Sequence, residues 1–167
     1  MKALTLIRHA KSSWDDTSLA DKLRPLNERG LRDAPLIGRR LAEHGAKPDL
    51  MMASPALRAL TTAQLIADEV GYPRGDIKLD DRLYEALADG LLAVIRGLDD
   101  HWQQVFMVCH NPAVADLASR LTSGKISQMP TCSIVTLTYE LPAWSGVGDT
   151  EPTDVRFDSP KGEKLTN

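Results

Sequence analysis

The sequence predicts a three-layer α/β/α fold, a mostly parallel central sheet with helices on both faces. Three short apolar runs, at residues 3–7, 50–53 and 105–109, are each followed by a stretch with helical spacing of apolar side chains. Unbroken apolar runs of this length suit strands buried on both faces. Strand followed by helix, three times over, implies parallel neighbours joined by right-handed crossovers. The first and third runs also stop abruptly, at Arg8-His9 and at His110. In open α/β sheets, ligands bind outside the carboxyl ends of the strands, so these stops matter.

The first run leads into residues 10–26, which follow neither helical nor strand period and read as a loop over the strand end. Asn27 is a good N-cap for the helix that follows, in which Leu31, Ala34, Ile37 and Leu41 recur at helical spacing until Gly45. Pro35 should kink it. After the second run, Ser54-Pro55 predicts a helix start, with Leu60, Ala63, Ala67 and Val70 as the buried stripe and Arg58 in the first turn. A cation there opposes the helix dipole, which suggests that it has an anion to hold. A short strand is expected at 77–79 and a helix from 89 to 97. The third run passes into His110-Asn111-Pro112, where Asn111 is the expected cap of a helix carrying Val114, Leu117, Ala118 and Leu121. A strand at 132–141 and an edge strand at 154–157 complete the pattern. One domain over residues 1–158 is expected, with 143–153 and a tail at 159–167 mobile.

A chain of 167 residues with 43% hydrophobic and 26% charged residues suits a globular domain. The net charge of −3 gives no overall basic bias, so no nucleic-acid partner is expected. Arg8 and His9 interrupt the amino-terminal apolar stretch, and no run approaches a membrane span; a cytoplasmic protein without a membrane partner is expected. Cys109 and Cys132 lack metal-site spacing and suit two reduced thiols. The pair Asp80-Asp81 has no third ligand at suitable spacing, and no metal or other cofactor is expected.

Three strand ends thus bring Arg8, His9, Arg58 and His110 towards one rim. Guanidinium forks match phosphate oxygens, and capped helix starts add oriented N–H donors. Such a cradle holds an oxyanion without a metal. A neutral histidine inside it can attack phosphorus while its cationic neighbours stabilise the charge of the transition state.

At this point the pattern resembles the histidine phosphatase superfamily, with the phosphoglycerate mutase-like fold, and within it the small SixA-type phosphohistidine phosphatases. The resemblance is carried by four blocks between residues 4 and 121: Leu6-Ile-Arg8-His9-Ala10-Lys11-Ser12, Arg24-Pro25-Leu26-Asn27-Glu28-Arg29-Gly30, Ser54-Pro55-Ala56-Leu57-Arg58 with its continuation to Ala63, and Cys109-His110-Asn111-Pro112. It implies that His9 is the nucleophile, forming a phosphohistidine intermediate, and that Arg8, Arg58 and His110 hold the phosphoryl oxygens. Asn27 corresponds to a loop residue that reaches the phosphoryl group in the family, although capping alone accounts for it. Glu85 falls roughly where the superfamily places its general acid; a solvated carboxylate or an arginine partner explains it equally well.

Two departures bear on substrate. Cys109 stands where many relatives have Gly, and Lys11 stands where the ester-cleaving branch has Glu, which makes the substrate site more cationic. Only 51 residues, 59 to 109, separate Arg58 from His110, too few for a large cap. The expected partner is therefore a phosphohistidine-bearing protein, with phosphate or a similar anion in the site. Two alternatives stay open: a small-molecule phosphate monoesterase with Glu85 as acid, and a phosphate- or phosphohistidine-binding module with little catalysis. Trp14 reads as a loop anchor or a docking aromatic, and His44 and His101 as surface histidines outside the chemistry.

Overall fold

A computed structural model describes residues 1–162, together with 165 and 166. Seven strands form one sheet in the order β3-β2-β4-β1-β5-β6-β7. These are β1 (Lys2–Arg8), β2 (Leu50–Ala53), β3 (Lys78–Leu79), β4 (Gln104–Cys109), β5 (Ile134–Tyr139), β6 (Asp154–Asp158) and β7 (Leu165–Thr166). The half of the sheet running from β3 to β1 is parallel, as the strand-helix repeats require, whereas β5, β6 and β7 add antiparallel pairs. Helices α1 (Glu28–Glu43), α2 (Leu57–Val70), α3 (Ala88–Arg96) and α4 (Ala113–Leu121) cover the two faces.

The alternation along each strand builds two cores. Leu4 and Leu6 of β1, Leu50 and Met52 of β2, and Val105 and Met107 of β4 pack with α3 and α4. Their neighbours Ile7, Met51, Ala53, Phe106 and Val108 pack with α1 and α2 on the other face. Both faces of the central strands are dry, which is why these runs contain no polar alternation.

Several local expectations are corrected. Helix α2 begins at Leu57 with Ala56 as its cap, not at Ser54-Pro55, and α4 begins at Ala113 with Pro112 in the cap position, not Asn111. Ser54 and Asn111 are engaged elsewhere: Ser54 Oγ hydrogen-bonds His110, and Asn111 Nδ2 donates to the Met129 carbonyl. Leu31 lies half exposed while Gly30, Asp33 and Ala34 face inward, and the inner face of α2 is Arg58, Ala59, Thr62, Ala63, Ile66 and Ala67. Helix α1 continues through Pro35. The segment 143–153 is anchored by a fully buried Trp144, whose Nε1 donates to the Trp102 carbonyl. Of the expected tail, Ser159 is buried and its carbonyl accepts from Arg40, and β7 pairs with β6; residues 163, 164 and 167 lie outside the described residues. Among the described residues, no helix is long and apolar enough to cross a membrane.

Candidate active site

The carboxyl ends of β1, β2 and β4 open into a cleft of about 330 Å³. Arg8, His9, Lys11, Arg58, Glu85 and His110 all line it, as do Asp21, Arg24, Tyr84 and Trp14. Asn27 does not: its side chain accepts from Gly30 N–H at 2.9 Å and caps α1, so the capping role occupies the group expected to reach the phosphoryl.

His9 stands at the floor, only 8% exposed. Its backbone is fixed between the strands, N–H to the Cys109 carbonyl and carbonyl to the Cys132 N–H, each at 3.1 Å. The imidazole Nδ1 lies 2.7 Å from the Ala10 carbonyl oxygen. A carbonyl can only accept, so Nδ1 carries the proton and Nε2 keeps its lone pair. Burial, with help from the charges of His110, Arg58 and Arg8, lowers the His9 pKa to about 3. The ring is therefore neutral at physiological pH, the state a nucleophile needs.

His110 faces it, with ring centroids 5.0 Å apart. Its Nε2 is 2.8 Å from Ser54 Oγ, which also accepts from the Ala56 N–H at 3.2 Å. The Ser54 hydroxyl keeps a second lone pair as well as its proton, so it can partner Nε2 of either neutral tautomer of His110. Burial and the Arg58 charge lower the His110 pKa to about 4.

The guanidinium groups are each held by a fixed acceptor. Arg8 donates to the Met129 carbonyl at 3.0 Å, the same oxygen that Asn111 uses. Arg58 is buried, and its two terminal nitrogens donate to the backbone and the carboxylate of Asp21 at 2.8 and 3.0 Å. The Nε atoms of both arginines are buried without a partner among the described residues. Thr62 ties the arrangement together: Oγ1 donates to the Arg58 carbonyl at 2.7 Å and accepts the Ala10 N–H at 3.0 Å, linking the first turn of α2 to the residue that orients His9.

Sequence reasoning missed Asp21, Tyr84, Arg24 and Thr62. Tyr84 donates to Asp21 Oδ2 at 2.5 Å, and these contacts, Tyr84 first and then Arg58 and Arg24, hold the Asp21 carboxyl at about 2. The one available signal was the i, i+3 spacing of Asp21 and Arg24 in the loop over the strand end. Arg24 bonds Ser12 Oγ at 2.9 Å and lies 3.6 Å from the ring centroid of Trp14, which keeps that exposed aromatic at the cleft wall. Glu85 is exposed at the mouth with φ 56°. Asp80 is engaged by Arg82, at 3.0 and 2.6 Å, and His101 lies on the surface against Trp102. Cys109 and Cys132 are buried, and burial pushes the Cys109 thiol up to about 12, so neither lies open to the cleft chemistry.

Comparison with known proteins bears on this geometry. Residues 4–91 match the family model described as histidine phosphatase superfamily (branch 1). A protein of Arabidopsis thaliana, described as uncharacterised and chloroplastic, is 29% identical over 149 residues; the alignment covers 81% of this chain and 66% of that protein's length. A structure from Agrobacterium tumefaciens, provisionally assigned as the phosphohistidine phosphatase SixA, superposes with TM-score 0.75 at 28% identity, covering 83% of this chain and 92% of that one. The protein histidine phosphatase SixA complexed with tungstate superposes with TM-score 0.77 at 22% identity, covering 95% and 97% of the two chains, a likeness of fold.

Proposed function

Because the chain belongs to the histidine phosphatase superfamily, we propose that it is a metal-independent phosphatase that removes the phosphoryl group from phosphohistidine on a partner protein. The observation that carries the reading is the orientation of His9: Nδ1–H is committed to the Ala10 carbonyl at 2.7 Å, and Nε2 is left as the only basic nitrogen of a ring kept neutral. Nε2 attacks phosphorus in line, the P–N bond of the substrate breaks, and its electron pair passes to the departing imidazole. His9 gains positive charge as it becomes phosphorylated, and the Ala10 carbonyl already faces the N–H that carries it. Arg8, Arg58 and His110 hold the equatorial oxygens through the transition state. Water then attacks the phosphorylated His9 and releases inorganic phosphate. Arginines supply the charge stabilisation that a metal provides elsewhere.

Three features favour phosphohistidine over a small ester. Lys11 is exposed on the cleft wall and adds a cation. Only β3, short turns and α3 lie between α2 and β4, so no cap domain encloses the cleft. The Agrobacterium structure is assigned to the same activity. Glu85 at the mouth is the observation that favours the second reading, ester hydrolysis with Glu85 as general acid.

The test offers the purified chain, with a chelator present, a histidine-phosphorylated carrier protein and a panel of phosphate esters, with His9→Ala as control. Rapid His9-dependent loss of phosphohistidine with slow ester cleavage is expected. Fast ester turnover abolished by Glu85→Gln would transfer the assignment to the second reading, and turnover unaffected by His9→Ala would end both.

A further inference from the structure

Resting on the phosphohistidine reading, we propose that Asp21 determines specificity, favouring substrates whose leaving group carries positive charge over phosphate esters. The carboxylate is fixed before any substrate arrives. Oδ2 accepts from Arg58 Nη2 at 3.0 Å and from the Tyr84 hydroxyl at 2.5 Å, Oδ1 from Arg24 Nε at 3.4 Å, and the backbone oxygen from Arg58 Nη1 at 2.8 Å. Even so, 48% of its side-chain surface stays open. An ordered, half-open carboxylate next to the phosphoryl-holding arginine loses little side-chain entropy on meeting a cation.

Its position matches the departing group. In-line displacement places the leaving group opposite the attacking Nε2 of His9. His9 is buried at the floor, whereas Asp21 and Tyr84 line the same cleft with more exposed side chains, so a leaving group directed away from His9 departs into the part of the cleft that they line.

Its ionisation decides what it can do there. Held at about 2 by Tyr84, Arg58 and Arg24, Asp21 has no proton to give an alkoxide, so it cannot serve an ester as general acid. It can hold the far N–H of a protonated phosphohistidine ring. When the P–N bond breaks, the electron pair goes to the near nitrogen, the far nitrogen keeps its proton, and neutral imidazole departs. No proton passes to or from Asp21. Its contribution is to increase the share of bound substrate carrying the ring proton, the form that leaves readily.

The test compares wild type with Asp21→Asn in the full chain, using phosphoramidate, whose nitrogen is protonated, and p-nitrophenyl phosphate, whose leaving group needs no acid. Asn keeps one acceptor for Arg58 and Tyr84 and removes the charge, at the cost of the Oδ1 acceptor that faces Arg24 Nε at 3.4 Å. We expect kcat/KM for phosphoramidate to fall about tenfold, the scale of a charge-assisted hydrogen bond at a partly open site. For p-nitrophenyl phosphate the loss should be clearly smaller, because Asn still accepts from Arg58, and Asp21→Glu should recover part of the phosphoramidate rate. Parallel loss on both substrates would overturn the proposal, leaving Asp21 as a support for Arg58. Failure of the wild-type chain to cleave phosphoramidate while it cleaves the ester would instead overturn the phosphohistidine reading, and this inference with it.

Discussion

Replacing Gly30 by alanine tests how the loop that carries the site is held. Gly30 is the third residue of α1, and helix propensity alone favours alanine over glycine by about 1 kcal/mol in a helix interior, less in a first turn. The structure reverses the sign. A Cβ at Gly30 would stand 2.3 Å from the Lys11 carbonyl oxygen and 3.2 Å from Leu26 Cβ. Ordinary contacts of carbon lie near 3.5 Å, so α1 and the Lys11 segment must part by about 1 Å. One hydrogen bond crosses that junction, Asn27 N–H to the Lys11 carbonyl at 3.0 Å, and the cap bond from Gly30 N–H to Asn27 Oδ1 at 2.9 Å lies beside it. Overpacking against backbone costs about 1–3 kcal/mol and a weakened cap about 1, against a gain of at most about 1. The expected net is roughly 1–3 kcal/mol of destabilisation, read as a lower urea midpoint at unchanged m, with Tm down by about 3–10 °C. Because Lys11 follows Ala10, whose carbonyl orients His9, kcat/KM should fall as well. A Gly30→Ala chain as stable as wild type, or more so, would refute the close-approach reasoning.

Ser54→Ala removes the hydroxyl beside His110 Nε2 and the acceptor of the Ala56 N–H; a stability cost of about 1–2 kcal/mol and a kcat lowered about tenfold are expected. Its signature is in the 15N chemical shifts of His110, where loss of the Ser54 partner should move the Nε2 resonance. The pH dependence follows from the low pKa of about 3 at buried His9 and about 4 at His110. Folded His9 stays neutral where an unfolded histidine binds a proton, so between about pH 6.5 and 3 the unfolded state holds more protons. Stability then falls as pH falls through that window, by a few kcal/mol from His9, and is untouched above it. For the same reason the pH profile of kcat/KM for p-nitrophenyl phosphate should show no enzyme ionisation near 6.5, and a midpoint there would contradict the buried, neutral nucleophile.

The parallel half of the sheet was legible because strands buried on both faces need unbroken apolar runs, and β1, β2 and β4 have them. The direction of β5 was not, since the chain from Thr122 to Ser133 that leads into it carries no helix and no periodicity. Helix starts misled where cap-type residues serve the site: Ser54 and Asn111 look like caps in sequence, but their polar atoms go to His110 and to the Met129 carbonyl. Phase errors on α1 and α2 have a related cause. Gly30, Asp33, Arg58 and Thr62 face inward for close approach or hydrogen bonding, which hydropathy does not register. Arg8, His9 and His110 stood out because they interrupt apolar strands. Asp21 and Tyr84 reach the site through loop folding, and Thr62 joins it from α2 through hydrogen bonds to Ala10 and Arg58; spacing along the chain contains none of these contacts.

The electrostatics of the cleft run against those of the molecule. The chain carries a net charge of −3, yet Arg8, Lys11, Arg24 and Arg58 outnumber Asp21 and Glu85 around two neutral histidines. Concentrating like charges costs folding energy, and the structure limits the cost in three ways. Asp21 partly neutralises Arg58 and Arg24, the Met129 carbonyl accepts from Arg8, and both histidines remain uncharged. Arg8 Nε and Arg58 Nε are buried without a partner among the described residues, so a residual penalty persists. On the proposed function, a phosphoryl dianion would bring negative charge among these cations. On that same reading, the cations held by Asp21 and the Met129 carbonyl would already be in place when charge shifts onto the phosphoryl oxygens.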